Sequence, residues 1–161
     1  MNRPPYDNLN QQEKWDFRFL DMCEHVSNWS KDPSTKVGAV ITDGVKIVSV
    51  GYNGLPKQVP SVDEQEILIN REEKYKYIIH AEINAILTAN GNNLKGCTLY
   101  TFPFLTCTNC ASIAVQSGIT RIVSYDCSED RWFKNIQEAK SLLSRSNVSF
   151  KEYPITTKET R

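Results

Sequence analysis

At 161 residues the chain has the length of one domain, enough to bury about two-thirds of its unfolded surface. Its 40% hydrophobic and 24% charged residues are ordinary for a globular chain, and nineteen basic residues against nineteen acidic ones exclude a general field for gripping long nucleic acid. No run approaches the roughly 18 apolar residues of a membrane helix. The first residues lack the apolar core of a secretory signal, and five cysteines cannot close a disulfide framework without a remainder, so reduced thiols, a cytoplasmic setting and a small partner are expected.

Residues 1–10 are polar, contain two prolines and read as a flexible arm. From Gln11 to about Ser30 the apolar residues Trp15, Phe19, Met22, Cys23, Val26 and Trp29 recur every three or four positions, which predicts a helix. His25 within it reads as a surface or interface histidine. Ser30 to Lys36 breaks the helix, since Pro33 disfavours helical geometry at Asp32. Val37–Thr42 and Val45–Val50 predict two strands joined by Asp43-Gly44, a strong hairpin signal. Gly51-Tyr52-Asn53-Gly54 leaves the second strand, with glycines that permit a sharp exit. Residues 55–79 are polar and charged, with one short helix expected around Asp63 to Tyr77.

A second full helix is predicted from His80 to Ala89, ended by Asn90-Gly91. Cys97–Thr101 reads as a strand, followed by the loop Phe102 to Thr106 and a helix from the cysteine pair to about Ser117. Ile119–Tyr125 predicts a strand. Trp132–Ser144 predicts a helix with Phe133, Ile136, Ala139, Leu142 and Leu143 inward, and Val148–Tyr153 a last strand. One domain over 11–155 followed by a polar tail, 156–161, is therefore expected. The element order suggests an α/β fold: a three-layer α/β/α sandwich around a five-stranded mixed sheet, an antiparallel hairpin leading into parallel crossover units.

Two short motifs carry the chemistry. His80-Ala81-Glu82 and Cys107-Thr108-Asn109-Cys110 each open a predicted helix, where partial positive charge favours thiolate over thiol. One imidazole and two thiolates supply three corners of a tetrahedral zinc site, and a carboxylate beside the fourth corner suits a catalytic site that keeps a water there. Bound zinc lowers the pKa of such a water from about 15.7 toward about 7. Glu82 is not expected as a ligand, because positions two apart diverge by roughly 200° around a helix, but it can receive and return the proton. Cys-x-x-Cys alone also fits a redox pair or half a structural zinc site, and His-x-Glu alone fits a plain helix start. Together, in this order, they resemble the zinc-deaminase pattern of H-x-E followed by P-C-x-x-C. A closed, non-catalytic zinc module would need a fourth ligand from Cys23, His25, Cys97 or Cys127.

Beyond these motifs, Ser30-Lys31-Asp32-Pro33, Lys36 to Val40, Gly51 to Gly54, His80 to Ile86, Cys107 to Ala111 and Gln116 to Ile119 occur in one order. In this respect the chain resembles the deoxycytidylate (dCMP) deaminases of the cytidine-deaminase-like superfamily, from about Trp15 to Tyr153. The resemblance implies hydrolysis of dCMP to dUMP and ammonia, with His80, Cys107 and Cys110 binding Zn²⁺ and Glu82 moving protons. It implies that Asn53 contacts the nucleoside and that backbone around Ala81 holds the pyrimidine carbonyl. A homohexamer activated by dCTP with Mg²⁺ and inhibited by dTTP is the family's common form, with Gly51, Tyr52, Asn53 and Gly54 as candidate effector contacts. Ser30 and Lys31 are the first candidates for the phosphate, and Tyr125 for flanking the substrate. Other cytosine substrates, dCTP or cytidine, and a tRNA adenosine share the chemistry, the last requiring a basic face that the balanced charge does not favour. The chain departs from the family at Thr106, where proline usually precedes the first cysteine.

Overall fold

A computed structural model describes residues 4–127 and 130–155. Helix α1 (Gln11–Ser27) starts in a reciprocal capping box: the Asn10 side chain accepts from the Glu13 amide at 2.9 Å, and the Glu13 carboxylate accepts from the Asn10 amide at 2.9 Å. Within the stretch expected as an arm, Tyr6–Asn8 form a 3-10 turn and Leu9 is buried against the α1 cluster. Residues 1–3 and the tail expected at 156–161 lie outside the described residues.

Strands β1 (Gly38–Asp43) and β2 (Lys46–Tyr52) form the hairpin, with Gly44 at φ +59° in its turn and a register shift between Ile41 and Thr42. Helices α2 (Ser61–Ile69) and α3 (Arg71–Tyr77) follow, where a single helix was expected. Asn70 separates them because it leaves the helical region and turns its side chain to accept from the Glu73 amide, capping α3. Then come α4 (Ala81–Thr88), β3 (Thr98–Phe102), α5 (Thr108–Gln116), β4 (Arg121–Tyr125), α6 (Asp130–Arg145) and β5 (Ser149–Tyr153).

The five strands lie in the order β2-β1-β3-β4-β5. β1 is antiparallel to both β2 and β3, and β3, β4 and β5 run parallel, so the expected mixed sheet is the one observed. Its two faces follow from strand alternation. Val40, Tyr100, Val123 and Tyr125 face α1, while Ala39, Ile41, Leu99 and Ile122 face the other layer with α4, α5 and α6. Both crossover helices lie on that second face because β3, β4 and β5 advance in one direction across the sheet, and connections of one hand then stay on one side. The first face is covered by α1. Small residues let this layer approach closely: Ala81 and Ala85 of α4, Ala111 and Ala114 of α5, and Ala139 of α6 are all buried. Phe133, expected inward, is 53% exposed, while Ile136, Ala139 and Leu143 are buried as expected and Leu142 is partly buried against the core.

Candidate active site and metal centre

The exits of β2 and β3 meet the starts of α4 and α5 at one end of the sheet. Helix α4 is pressed directly onto β2: a Cβ at Gly51 would lie 2.3 Å from the Ala85 amide nitrogen and 2.4 Å from the Ala81 carbonyl oxygen, both backbone. Ser49 Oγ donates to the Ala85 carbonyl at 2.7 Å, and Asn84 Nδ2 to the Tyr52 carbonyl at 2.8 Å. These contacts fix the axis of α4 and therefore the residues at its start. α5 is held in turn by Asn135 of α6, whose Oδ1 accepts from the Thr108 amide at 2.9 Å.

His80 is the N-cap of α4 and Cys107 the N-cap of α5, each with extended backbone. The Cys107 sulfur takes the capping position usually filled by an oxygen, 3.5 Å from the Cys110 amide. His80 Nδ1 lies 3.5 Å from Cys107 Sγ and 3.3 Å from Cys110 Sγ. Among the described residues these three donors form a metal-capable cluster, all within 4.8 Å of one another. A tetrahedral zinc, with bonds of about 2.0–2.1 Å to nitrogen and about 2.3 Å to sulfur, requires N to S separations of about 3.6 Å. The donors fit that ion. The proton balance agrees: Cys107 is held well below the usual thiol range, first by its hydrogen bond with Cys110, while that same bond pushes Cys110 up. A divalent cation held by both sulfurs displaces their protons.

Glu82 is the second residue of α4 and is buried. Because His80 stands before the helix, in extended geometry, the two side chains are not separated by the helical rotation that their spacing suggests. Burial raises the Glu82 carboxyl above its usual range, and the Cys107 charge raises it further, against smaller opposing effects of His80 and Thr106. A buried carboxyl in this position is suited to taking up and returning a proton. Thr106, in place of the family proline, is fully buried with its hydroxyl 3.3 Å from the Cys107 carbonyl.

His80, Ala81, Glu82 and Cys107 line one cavity. Part of its wall is apolar, with Val37, Ile78, Leu105 and Ile136 beside a stacked pair, Phe104 and Trp132, whose ring centroids are 5.8 Å apart, and Asp32, Ser34, Thr35, Lys74 and Arg131 line it as well. Asn53 also lines it, with its amide spent largely on the neighbouring loop: Oδ1 accepts from the Val37 amide at 2.9 Å and Nδ2 donates to the Thr35 carbonyl at 2.9 Å. His80, Ala81, Glu82, Asn53 and Cys107 thus share one cavity, and buried Cys110 completes the donor cluster.

Other predicted positions lie elsewhere. Ser30 is buried and donates to the Asn53 carbonyl at 2.8 Å, which makes it a staple of the loop. Lys31 is exposed and pairs with Glu64 at 2.7 Å. Tyr125 packs in the α1 layer against Phe17 and Phe102. Gly51 serves the β2–α4 contact, Tyr52 meets Trp29 edge to face on the surface, and Gly54 pairs with Ile79 in an isolated bridge. The ring of His25 also lies against Trp29.

Several lining residues escaped sequence reasoning: Lys74, Tyr75, Arg131, Phe104 and Trp132. Lys74 sits in a run of charges where no side chain stands out, and the only hint is its i, i+4 spacing from Ile78. Phe104 lies in the predicted loop and Trp132 at the start of the last predicted helix, and only the tertiary fold brings them face to face.

A model of the cytidine and deoxycytidylate deaminase zinc-binding region matches residues 13–126. An uncharacterized deaminase in the luxG 3' region of Aliivibrio fischeri is 44% identical over 146 residues, covering 88% of this chain and 95% of the relative. Human deoxycytidylate deaminase is 31% identical over 146 residues, covering 87% of this chain and 80% of that protein. In fold, the chain is similar to the dCMP deaminase of cyanophage S-TIM5 solved with dCMP and dUMP, at a TM-score of 0.67 and 20% identity over 92% of this chain and all of that one.

Proposed function

The chain belongs to the cytidine and deoxycytidylate deaminase zinc-binding family, and on that premise we propose that it hydrolyses dCMP to dUMP and ammonia. The observation that carries this reading is the meeting, in one cavity, of a three-donor zinc cluster with a buried carboxyl, Glu82. Zinc bound there supplies the Lewis acidity that makes a water nucleophilic at neutral pH. Glu82 takes the proton of the attacking water as its oxygen bonds to C4 of the pyrimidine. It delivers that proton to the adjacent ring nitrogen, and a second transfer through the same carboxyl leaves the exocyclic nitrogen as ammonia when the C–N bond breaks. The backbone amide of Ala81, in the first turn of α4, has no partner within its helix and is the donor to the pyrimidine carbonyl. Phe104 and Trp132 flank the ring, and Asn53 borders the sugar.

Zinc-loaded protein should release one ammonia per dUMP formed from dCMP. Absence of turnover with dCMP, while cytidine or dCTP reacts, would move the assignment within the family. Absence of turnover with every cytosine compound would remove it.

A further inference from the structure

The residue before the first cysteine stands behind the site. Thr106 is fully buried, and it does not line the cavity although its neighbours Leu105 and Cys107 do. Its hydroxyl reaches the carboxyl of Glu82, which does line it. On the reading of Glu82 as the acid–base group of the deamination, we propose that Thr106 is a positioning residue. Its hydroxyl holds the Glu82 carboxylate in the orientation from which that group takes and returns the proton.

A buried hydroxyl needs a partner, and Thr106 has three acceptors in reach of its one proton. The first is the Cys107 carbonyl at 3.3 Å, longer than the about 2.5–3.0 Å of a good O–H···O bond. The second is the Cys110 sulfur, a weak acceptor whose charge is shared with the metal once zinc is bound. The third is the Glu82 carboxylate, and a hydrogen bond to an ionised acceptor is roughly twice as strong as a neutral one. The carboxylate therefore wins the proton. The backbone amide of Glu82 itself also bonds that carboxyl, but a bond within one residue moves with the residue. Thr106 reaches it from a separate segment and ties it to the cysteine loop. When Glu82 gains a proton its pull weakens, and the hydroxyl can rotate to the Cys107 carbonyl without the shift of any heavy atom. The contact thus keeps pace with the proton transfer.

The loop that carries Thr106 is itself pinned. Thr101 Oγ1 donates to the Phe104 carbonyl at 2.9 Å, and Ser124 Oγ of β4 donates to the Thr101 carbonyl at 2.9 Å. On its other side Cys107 caps α5. The proline that usually stands here in the family has neither a hydroxyl nor an N–H to offer, so the contact is a property of this chain.

The test uses zinc-loaded Thr106→Val, which keeps the volume and removes the hydroxyl, with Thr106→Ala as a second deletion and Thr106→Ser as the rescue. In both deletions kcat for dCMP should fall about ten- to hundred-fold, the scale of one hydrogen bond to a charged group, while KM and zinc content stay those of the wild type. Thr106→Ser should return most of the rate. Isotope-edited infrared spectra of the substrate-free proteins read the contact itself. The Glu82 carboxyl band, identified by its loss in Glu82→Gln, should shift in both deletions and return in Thr106→Ser. A wild-type kcat in both deletions overturns the proposal, as does an unshifted band or a rate loss that Thr106→Ser does not restore. Loss of zinc together with rate in both deletions also overturns it, since Thr106 would then serve the metal loop and not the carboxyl. A wild type that turns over no cytosine compound defeats the reading of the site instead, and the infrared band then still decides whether the hydroxyl holds Glu82.

Discussion

Asp16 of α1 is fully buried and accepts five hydrogen bonds. Oδ1 receives Gln12 Nε2 at 3.0 Å, the Tyr100 hydroxyl at 2.8 Å and Arg121 Nη1 at 2.8 Å. Oδ2 receives Arg121 Nη2 and the Tyr153 hydroxyl, each at 2.7 Å. One carboxylate thus ties α1 to β3, β4 and β5. Asp16→Asn preserves shape and can keep the bonds of one oxygen, but its amide group cannot accept those of the other and Arg121 loses its counter-charge. Breaking a buried pair from one side costs about 3–5 kcal/mol. Because the Arg121 side chain retains 25% exposure, the low end, about 3 kcal/mol, applies. At about 2–4 °C per kcal/mol for a chain of this size, Tm should drop by roughly 6–12 °C. Urea unfolding should show a lower midpoint with an unchanged slope. The deficit should also depend on pH. Burial pushes the Asp16 carboxyl up, but hydrogen bonds from Arg121, Tyr153 and Tyr100 outweigh it and leave its pKa depressed. A depressed pKa gives stability that is fully present above the unfolded value of about 3.9 and is lost as pH falls through the folded value. The gap between wild type and Asp16→Asn should therefore narrow on acidification below about pH 4. A variant within about 1 kcal/mol of wild type at neutral pH would refute the role given to this network.

Glu82→Gln should lower kcat by about 10²–10⁴ while zinc content, measured by elemental analysis, stays that of the wild type. A rate within a few-fold of wild type would take Glu82 out of proton transfer, and loss of zinc would make it a ligand. Gly51→Ala places a methyl group against the backbone of α4, so it should destabilise the fold by about 1–3 kcal/mol and weaken zinc retention together, as His80 shifts with its helix. Wild-type stability and zinc affinity in that variant would mean that α4 is not seated on β2 as described.

The zinc cluster was legible in the sequence because its donors sit at helix starts, where local signals of cap and period are strong. The sheet was legible through alternation and the Asp43-Gly44 turn. The polar part of the cavity wall was not. Lys74, Arg131 and Ser34 come from segments whose relation is set by packing, and charged residues on a short helix give no sign of which one turns inward. Ser30 and Lys31 stood beside the end of the first predicted helix, yet Ser30 is drawn inward to the Asn53 carbonyl and Lys31 outward to Glu64. The break at Asn70 was missed because asparagine interrupts a charged run without the force of a proline or glycine. Phe133 satisfied the helical period but falls at the edge of the inward stripe and is 53% exposed.

X-ray absorption at the zinc edge of the purified, zinc-loaded protein tests the central claim most directly. Two sulfurs at about 2.3 Å, one imidazole nitrogen at about 2.0 Å and one further light-atom ligand from solvent are predicted. A shell of four protein ligands, or one lacking either sulfur, would contradict the open site from which the chemistry has been derived.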